Sequence, residues 1–185
     1  PQIPAAYDFG QGDLFKGEKL LIKQNFVVLQ HVNGYDLIDY FNEKNIEQPG
    51  TIDEIIKLFT TICDPLQYLH NKNYIHCDLK PGHLIITQKT GLVSLVDFEL
   101  AIKFGDIIKG ISREYASPEQ LQMLAYLKDR PRKAHHKDIS ATIRLDGKTD
   151  LYSVGLLLYQ VLTKKIWQTE KTPPSQINRS VPHEL

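Results

Sequence analysis

Apolar positions along this chain change period several times, and each change predicts an element. Ile3 to Phe9, and Leu20 to Gln30 with its many Leu, Ile, Val and Phe, read as strands separated by a turn at Gly10-Gln11-Gly12-Asp13. From Thr51 the spacing shifts to steps of three and four. Ile52, Ile55, Ile56, Phe59, Ile62, Cys63, Leu66 and Leu69 then share one face of a helix running to about His70. Thr51 and Glu54 have the form of a capping box at its start, and Pro65, which lacks an N–H, predicts a kink inside it. A shorter helix is expected near Tyr35 to Phe41. Leu84 to Thr87 and Leu92 to Val96 flank Gln88-Lys89-Thr90-Gly91 and read as a hairpin. Between Leu151 and Leu162 the apolar residues surround the helix, which predicts burial on most sides. Lys171 to Pro182, with its prolines, reads as irregular surface.

Composition narrows the picture without identifying it. The 185 residues suit one domain, and 42% hydrophobic with 24% charged residues excludes a disordered or fibrous chain. Twenty-two basic residues balance twenty-two acidic ones, so the chain as a whole is no polycation built for nucleic acid. Charge is local: from Lys128 to Lys148 seven Lys or Arg stand against three Asp. That stretch could dock an acidic partner or be a solvated loop. Cys63 and Cys77 are too few for a disulfide framework, and no apolar run reaches the roughly 20 residues of a membrane helix. A cytoplasmic location without a membrane span is the expectation. The chain opens on Pro1 rather than Met and shows no leader-like segment, as a piece of a longer polypeptide would.

The chemistry concentrates in His76-Cys77-Asp78-Leu79-Lys80-Pro81-Gly82-His83, followed at Asp97 by Asp97-Phe98-Glu99. This pair of motifs resembles the His-Arg-Asp catalytic loop and the Asp-Phe-Gly segment of the eukaryotic-like serine/threonine protein kinases, with the predicted hairpin between them. Tyr115-Ala116-Ser117-Pro118-Glu119 is similar to the family's Ala-Pro-Glu segment, and Asp150-Leu151-Tyr152-Ser153-Val154-Gly155 to the start of its buried central helix. The resemblance implies an α+β kinase-like fold: a mainly helical large lobe (C-lobe) with short hairpins, and a remnant of the small-lobe (N-lobe) sheet. Residues 1–34 would be the last small-lobe strands and the hinge. Residues 35–185 would be the large lobe, incomplete at its C-terminal end and carrying a basic insertion at about 123–146.

The same resemblance implies roles. ATP and Mg²⁺ would be bound, Asp78 would accept the proton of a protein hydroxyl, Lys80 would contact the transferred phosphoryl group, and Ser112 would brace both. Lys80-Pro81 matches the serine/threonine type. Asp97 would hold the metal together with His83, which stands where Asn is usual. Imidazole suits softer ions than Mg²⁺, so Mn²⁺ would be better tolerated. Leu29 would guard the deeper pocket, the backbones of Gln30 and Val32 would meet adenine, and Ile85 would lie beneath it. The glycine-rich loop, the third-strand lysine and helix C have no place in the alignment, so this chain alone would be inactive. Two more departures matter: Cys77 replaces Arg, which argues against control by phosphorylation of the loop, and Glu99 replaces Gly, which could bias Asp97 away or add a ligand. The alternative reading is a pseudokinase that keeps the fold as a scaffold or allosteric partner.

Overall fold

Eleven-residue strands open the chain. In the computed structural model, which describes residues 2–16, 19–42, 49–87, 90–129 and 143–184, β1 (Ala6–Lys16) and β2 (Lys19–Leu29) pair as an antiparallel ribbon. The turn expected at Gly10–Asp13 is therefore corrected: Gly10 pairs with Phe26 and Gly12 with Gln24 inside the ribbon. Here glycine serves packing rather than reversal. A Cβ on Gly10 would lie 2.9 Å from the Phe26 ring, so the glycine lets that ring lie across the neighbouring strand. Lys16 pairs with Lys19, and residues 17–18 lie outside the described residues.

A second, three-stranded sheet has the order β3 (Gly34–Asp36), β5 (Leu84–Thr87), β6 (Val93–Leu95), all antiparallel. The Asp36 carboxylate accepts from the N–H groups of Ile38 and Asp39, each at 2.9 Å, and so starts α1 (Leu37–Asn42). Helix α2 (Pro49–Asn71) begins ahead of the predicted Thr51 start, and the Thr51 side chain lies outside the described residues. Pro65 sits inside α2 without ending it. The missing N–H leaves the Thr61 carbonyl without its helical donor, and Gln2 Nε2 reaches that oxygen at 3.5 Å. The Gln2 carbonyl in turn accepts from Leu95 N–H at 2.7 Å, which ties the N-terminal segment to β6. On the inner face of α2, Leu58 is buried and Cys63, expected there, is exposed.

Two short strands, β4 (Tyr74–Ile75) and β7 (Ile102–Lys103), pair across the middle of the molecule. Helices α3 (Pro118–Asp129), α4 (Gly147–Thr163), α5 (Trp167–Glu170) and α6 (Pro174–Ile177) complete the described elements. One apolar cluster joins α1, α2, β5, β6 and α4 through residues such as Leu37, Ile55, Ile62, Leu84, Leu95 and Leu157. A second holds Ile75, Cys77, Ile102, Ile108, Met123, Ile143 and Leu145. The loop that follows β4 contributes Cys77 to the second cluster and Leu79 to the first, so it lies at their seam.

Three further expectations hold only in part. Helix α4 is buried on most sides from Leu156 to Thr163, as expected, but Leu151 and Tyr152 nearer its start are exposed. The stretch from Lys171 to Pro182 is part-buried or exposed except at Val181, which enters the first cluster, and Asn178 Nδ2 donates to the Leu162 carbonyl at 2.9 Å, capping the end of α4. The ends of the segment expected as an insertion, 123–146, belong to the core, because Met123 and Leu145 are fully buried. Residues 130–142, with most of the basic run, lie outside the described residues.

Gly34 shows how tightly β3 seats. A Cβ there would fall 2.2 Å from the Ile86 carbonyl oxygen. Gly34→Ala is expected to cost about 1–3 kcal/mol, the range for overpacking, in a urea unfolding curve.

Candidate functional site

The loop from His76 to His83 is fixed from below by one carboxylate. Asp150, in the first turn of α4 and 0% exposed, accepts from the backbone N–H of His76 at 2.9 Å and of Cys77 at 3.0 Å. Its Oδ2 also meets His70 Nε2 at 2.8 Å. Gly147 makes room for that histidine, as a Cβ would come within 2.6 Å of its Nδ1. Position in the first turn of α4 also suits a negative charge.

Above Asp150 the loop adopts conformations that the side chains disfavour. Cys77 has φ 66° and Asp97 φ 61°, both in the left-handed region. The carbonyl of Cys77 accepts from Gln120 Nε2 at 2.7 Å. The thiol of Cys77 packs in the second cluster, where burial, then Asp150 and Asp78, push its pKa far up; it is an inert core thiol. His76 is fully buried, and that burial pulls its pKa down despite the neighbouring carboxylates. The neutral ring fits its contacts: Nε2–H donates to the Val96 carbonyl at 3.0 Å and Nδ1 accepts from Asp78 N–H at 3.4 Å.

Asp78 is 7% exposed and its two oxygens differ. Oδ2 lies 3.2 Å from Lys80 Nζ and 3.6 Å from His83 Nδ1. Oδ1 is buried with no hydrogen-bond partner. Burial alone would raise the pKa of Asp78, but Ser112 beside it, then Lys80 and His83, outweigh burial and hold it below the usual carboxylate value. The structure thus brings Asp78, Lys80, His83 and Ser112 to one place.

His83, also buried, joins this loop to Asp97. Its Nδ1 donates to the Asp78 carbonyl at 2.7 Å, and its Nε2 lies 3.1 Å from Asp97 Oδ2. Backbone bonds reinforce the link, with Val96 N–H donating to the His83 carbonyl at 3.0 Å. Asp97 is 48% exposed and faces the loop through His83. The N–H of Glu99 donates to Asp97 Oδ1 at 3.3 Å, and Glu99 itself avoids positive φ, so the freedom of a glycine is not needed there. Among the described residues no group of three or more His, Cys, Asp or Glu side chains is arranged to hold a metal, so Glu99 does not extend the Asp97–His83 pair.

The residues expected around adenine fall on two elements, the end of β2 with the link after it and the strand β5. Leu29 ends β2, half-exposed. Gln30 N–H donates to the Ala5 carbonyl at 2.8 Å and its side-chain oxygen accepts from Ala5 N–H at 3.3 Å. Val32 lies in the following link, partly buried, and Ile85 sits in β5 opposite Asp36 and Ser94. Sequence reasoning did not single out Gln120, His70 or Lys109. Lys109 Nζ reaches the carbonyls of Glu99 at 3.3 Å and Ala101 at 3.1 Å, tying the segment after Asp97 to itself. For Gln120 a signal was present, the Ser117-x-x-Gln120 spacing of a capping box ahead of a helix.

Comparison with known proteins agrees with this geometry. Residues 20–183 match the family model of the protein kinase domain. The serine/threonine-protein kinase PknB of Mycobacterium tuberculosis is 28% identical over 175 residues, 95% of this chain and 25% of that protein. A probable serine/threonine-protein kinase of Corynebacterium efficiens is 27% identical over 190 residues, covering 95% of this chain and 26% of its own length. One from Clostridium acetobutylicum is 26% identical over 181 residues, 85% of this chain and 24% of its own. The chain thus spans about a quarter of the length of these curated relatives. No helix among the described residues is long and apolar enough to cross a membrane.

Two predictions test the site as a physical object. Asp150→Ala strands two buried N–H groups and is expected to destabilise the fold by about 3–5 kcal/mol in chemical denaturation. Because the folded-state pKa of Asp78 is depressed, its contribution is present above the unfolded value near about 4 and is lost as pH falls through the folded value. Asp78→Asn should therefore flatten the loss of stability on acidification below about pH 4.

Proposed function

The chain belongs to the protein kinase family, and from that premise we propose that it forms the hinge and large lobe of a cytoplasmic enzyme transferring the γ-phosphate of ATP to a serine or threonine hydroxyl of a protein. On this reading residues 1–34 are the last small-lobe strands and hinge, and residues 35–185 the large lobe. The observation that carries it is the set of partners around the Asp78 carboxylate: Lys80 and His83 lie against Oδ2, and Ser112 hydrogen-bonds to the same group. A substrate hydroxyl donating to this carboxylate is thereby aimed, and its proton has an acceptor. With its pKa lowered, Asp78 is a weak base, so orientation is its main contribution. That suits a loose phosphoryl-transfer transition state, which needs positioning more than proton abstraction.

Lys80, near enough to Asp78 to share its charge, offers its remaining N–H groups to the transferred phosphoryl group, and Ser112 keeps Asp78 ionised. The carbonyl of Gln30 and the backbone of Val32 are offered to adenine, with Leu29 and Ile85 as its apolar flanks. Asp97 and His83 fit a divalent ion: the one presents an exposed carboxylate and the other, with Nδ1 committed to the Asp78 carbonyl, only its Nε2. Such an ion neutralises charge on the phosphates. An oxygen and an imidazole nitrogen together favour Mn²⁺ over Mg²⁺. The basic run from Lys128 to Lys148 is proposed to dock an acidic partner.

Phosphate transfer from ATP to a generic protein substrate by the full protein, in Mg²⁺ and in Mn²⁺, tests this reading. Asp78→Ala is expected to lower kcat roughly 10²–10⁴-fold, the usual span for a lost general base. His83→Asn should shift the preference toward Mg²⁺. Equal rates for Asp78→Ala and wild type would overturn the assignment, and nucleotide binding by a folded protein without turnover would establish the scaffold instead.

A further inference from the structure

The geometry points to Gln120 as a positioning residue for phosphoryl transfer, holding the peptide that carries Asp78 to the N-terminus of α3; this rests on the reading above. Ser117 and Gln120 close a capping box. Ser117 Oγ accepts from Gln120 N–H at 3.3 Å, and Gln120 Oε1 accepts from Ser117 N–H at 2.9 Å. Glu or Gln can close such a box equally well. Only Gln keeps an amide NH₂ to spare, and Nε2 spends it on the Cys77 carbonyl at 2.7 Å. Glu at this position would set one acceptor against another. Gln120 is 1% and Cys77 4% exposed, so bulk water cannot stand in for the lost donor.

The bond matters because of where it lands. Cys77, at φ 66°, occupies a region that a side chain with a Cβ disfavours, and such a conformation persists only when its surroundings over-determine it. Asp150 Oδ1 takes the N–H of Cys77 and Gln120 Nε2 takes its carbonyl, so the residue is clamped on both sides. The Cys77 carbonyl and the Asp78 N–H belong to one peptide plane, from which the Asp78 side chain departs. Gln120 therefore sets the direction of Asp78 without touching substrate. The segment that brings Ser112 to the site ends at the same cap, so its placement is transmitted to Asp78 through two hydrogen bonds.

The test compares two variants of the full protein. Gln120→Met is uncharged and of similar length but makes neither bond. Ser117→Ala removes the Oγ half of the box and leaves the bond to Cys77. Both should lower Tm. Gln120→Met should also lower kcat roughly tenfold with KM for ATP and protein within about twofold of wild type, and should speed amide exchange across residues 76–79. Ser117→Ala should leave kcat and that exchange unchanged. Wild-type kcat and exchange in a folded Gln120→Met, or an equal loss of kcat in Ser117→Ala, would overturn the proposal while the wild type remains active. A wild type no faster than Asp78→Ala would overturn the phosphotransfer reading first, and the role of Gln120 with it.

Discussion

A single buried carboxylate organises this molecule. Asp150 receives two consecutive backbone N–H groups of the loop and one histidine nitrogen, with no exposure to solvent. Left unpaired, a charge so placed would cost several kcal/mol, so helix α4 and the loop are each stable in this arrangement only because the other is present. The loop has almost no regular structure of its own beyond the turn Pro81–His83. Its shape comes instead from what grips it: Asp150 beneath, Gln120 at one side, Leu79 and Cys77 drawn into two different cores. A site built on α4 inherits the rigidity of a helix, and this fixes the backbone from which Asp78 departs.

The same logic explains how three unusual residues are tolerated. Arg at position 77 would carry its charge outward to a phosphorylated partner, whereas Cys turns inward and adds apolar contact to Ile75, Ile102 and Met123. His83 has lost the amide of the usual Asn but still donates to the Asp78 carbonyl, so the loop is closed before any ion arrives. Glu99 stands where glycine is usual, yet the positive φ lies two residues earlier, at Asp97, whose short polar side chain tolerates it. None of the three departures removes a backbone contact on which Asp78 depends.

Much of this was legible in the sequence, for identifiable reasons. The period of Ile55, Phe59, Ile62 and Leu66 announced α2, and the apolar runs at Leu84 and Val93 announced β5 and β6, because burial selects both patterns directly. The loop at Asp78 and the segment at Asp97 were recognisable as ordered motifs. Other features depend on partners distant in sequence. Gly10 and Gly12 looked like a turn because their second use, making room for Phe26 across the ribbon, is invisible until the register is known. Cys63 looked like core because it shares the helical spacing, but Leu58 takes the inward position. Val181 looked like surface among prolines, and only the close of α4 against Asn178 shows that it is packed.

The residue hardest to foresee was Gln120, and the reason is general. Its spacing to Ser117 satisfies a local rule completely, so the local reading leaves nothing to explain. The excess lies in one atom: a capping box needs an acceptor, and Gln brings a donor as well. That donor meets the carbonyl of Cys77, a buried residue at positive φ, from 43 positions away. Where a local motif is satisfied by a residue with more hydrogen-bonding capacity than the motif requires, and that residue is buried, the surplus must be spent elsewhere. Here it is spent on the peptide of Asp78, which makes the cap of α3 part of the site.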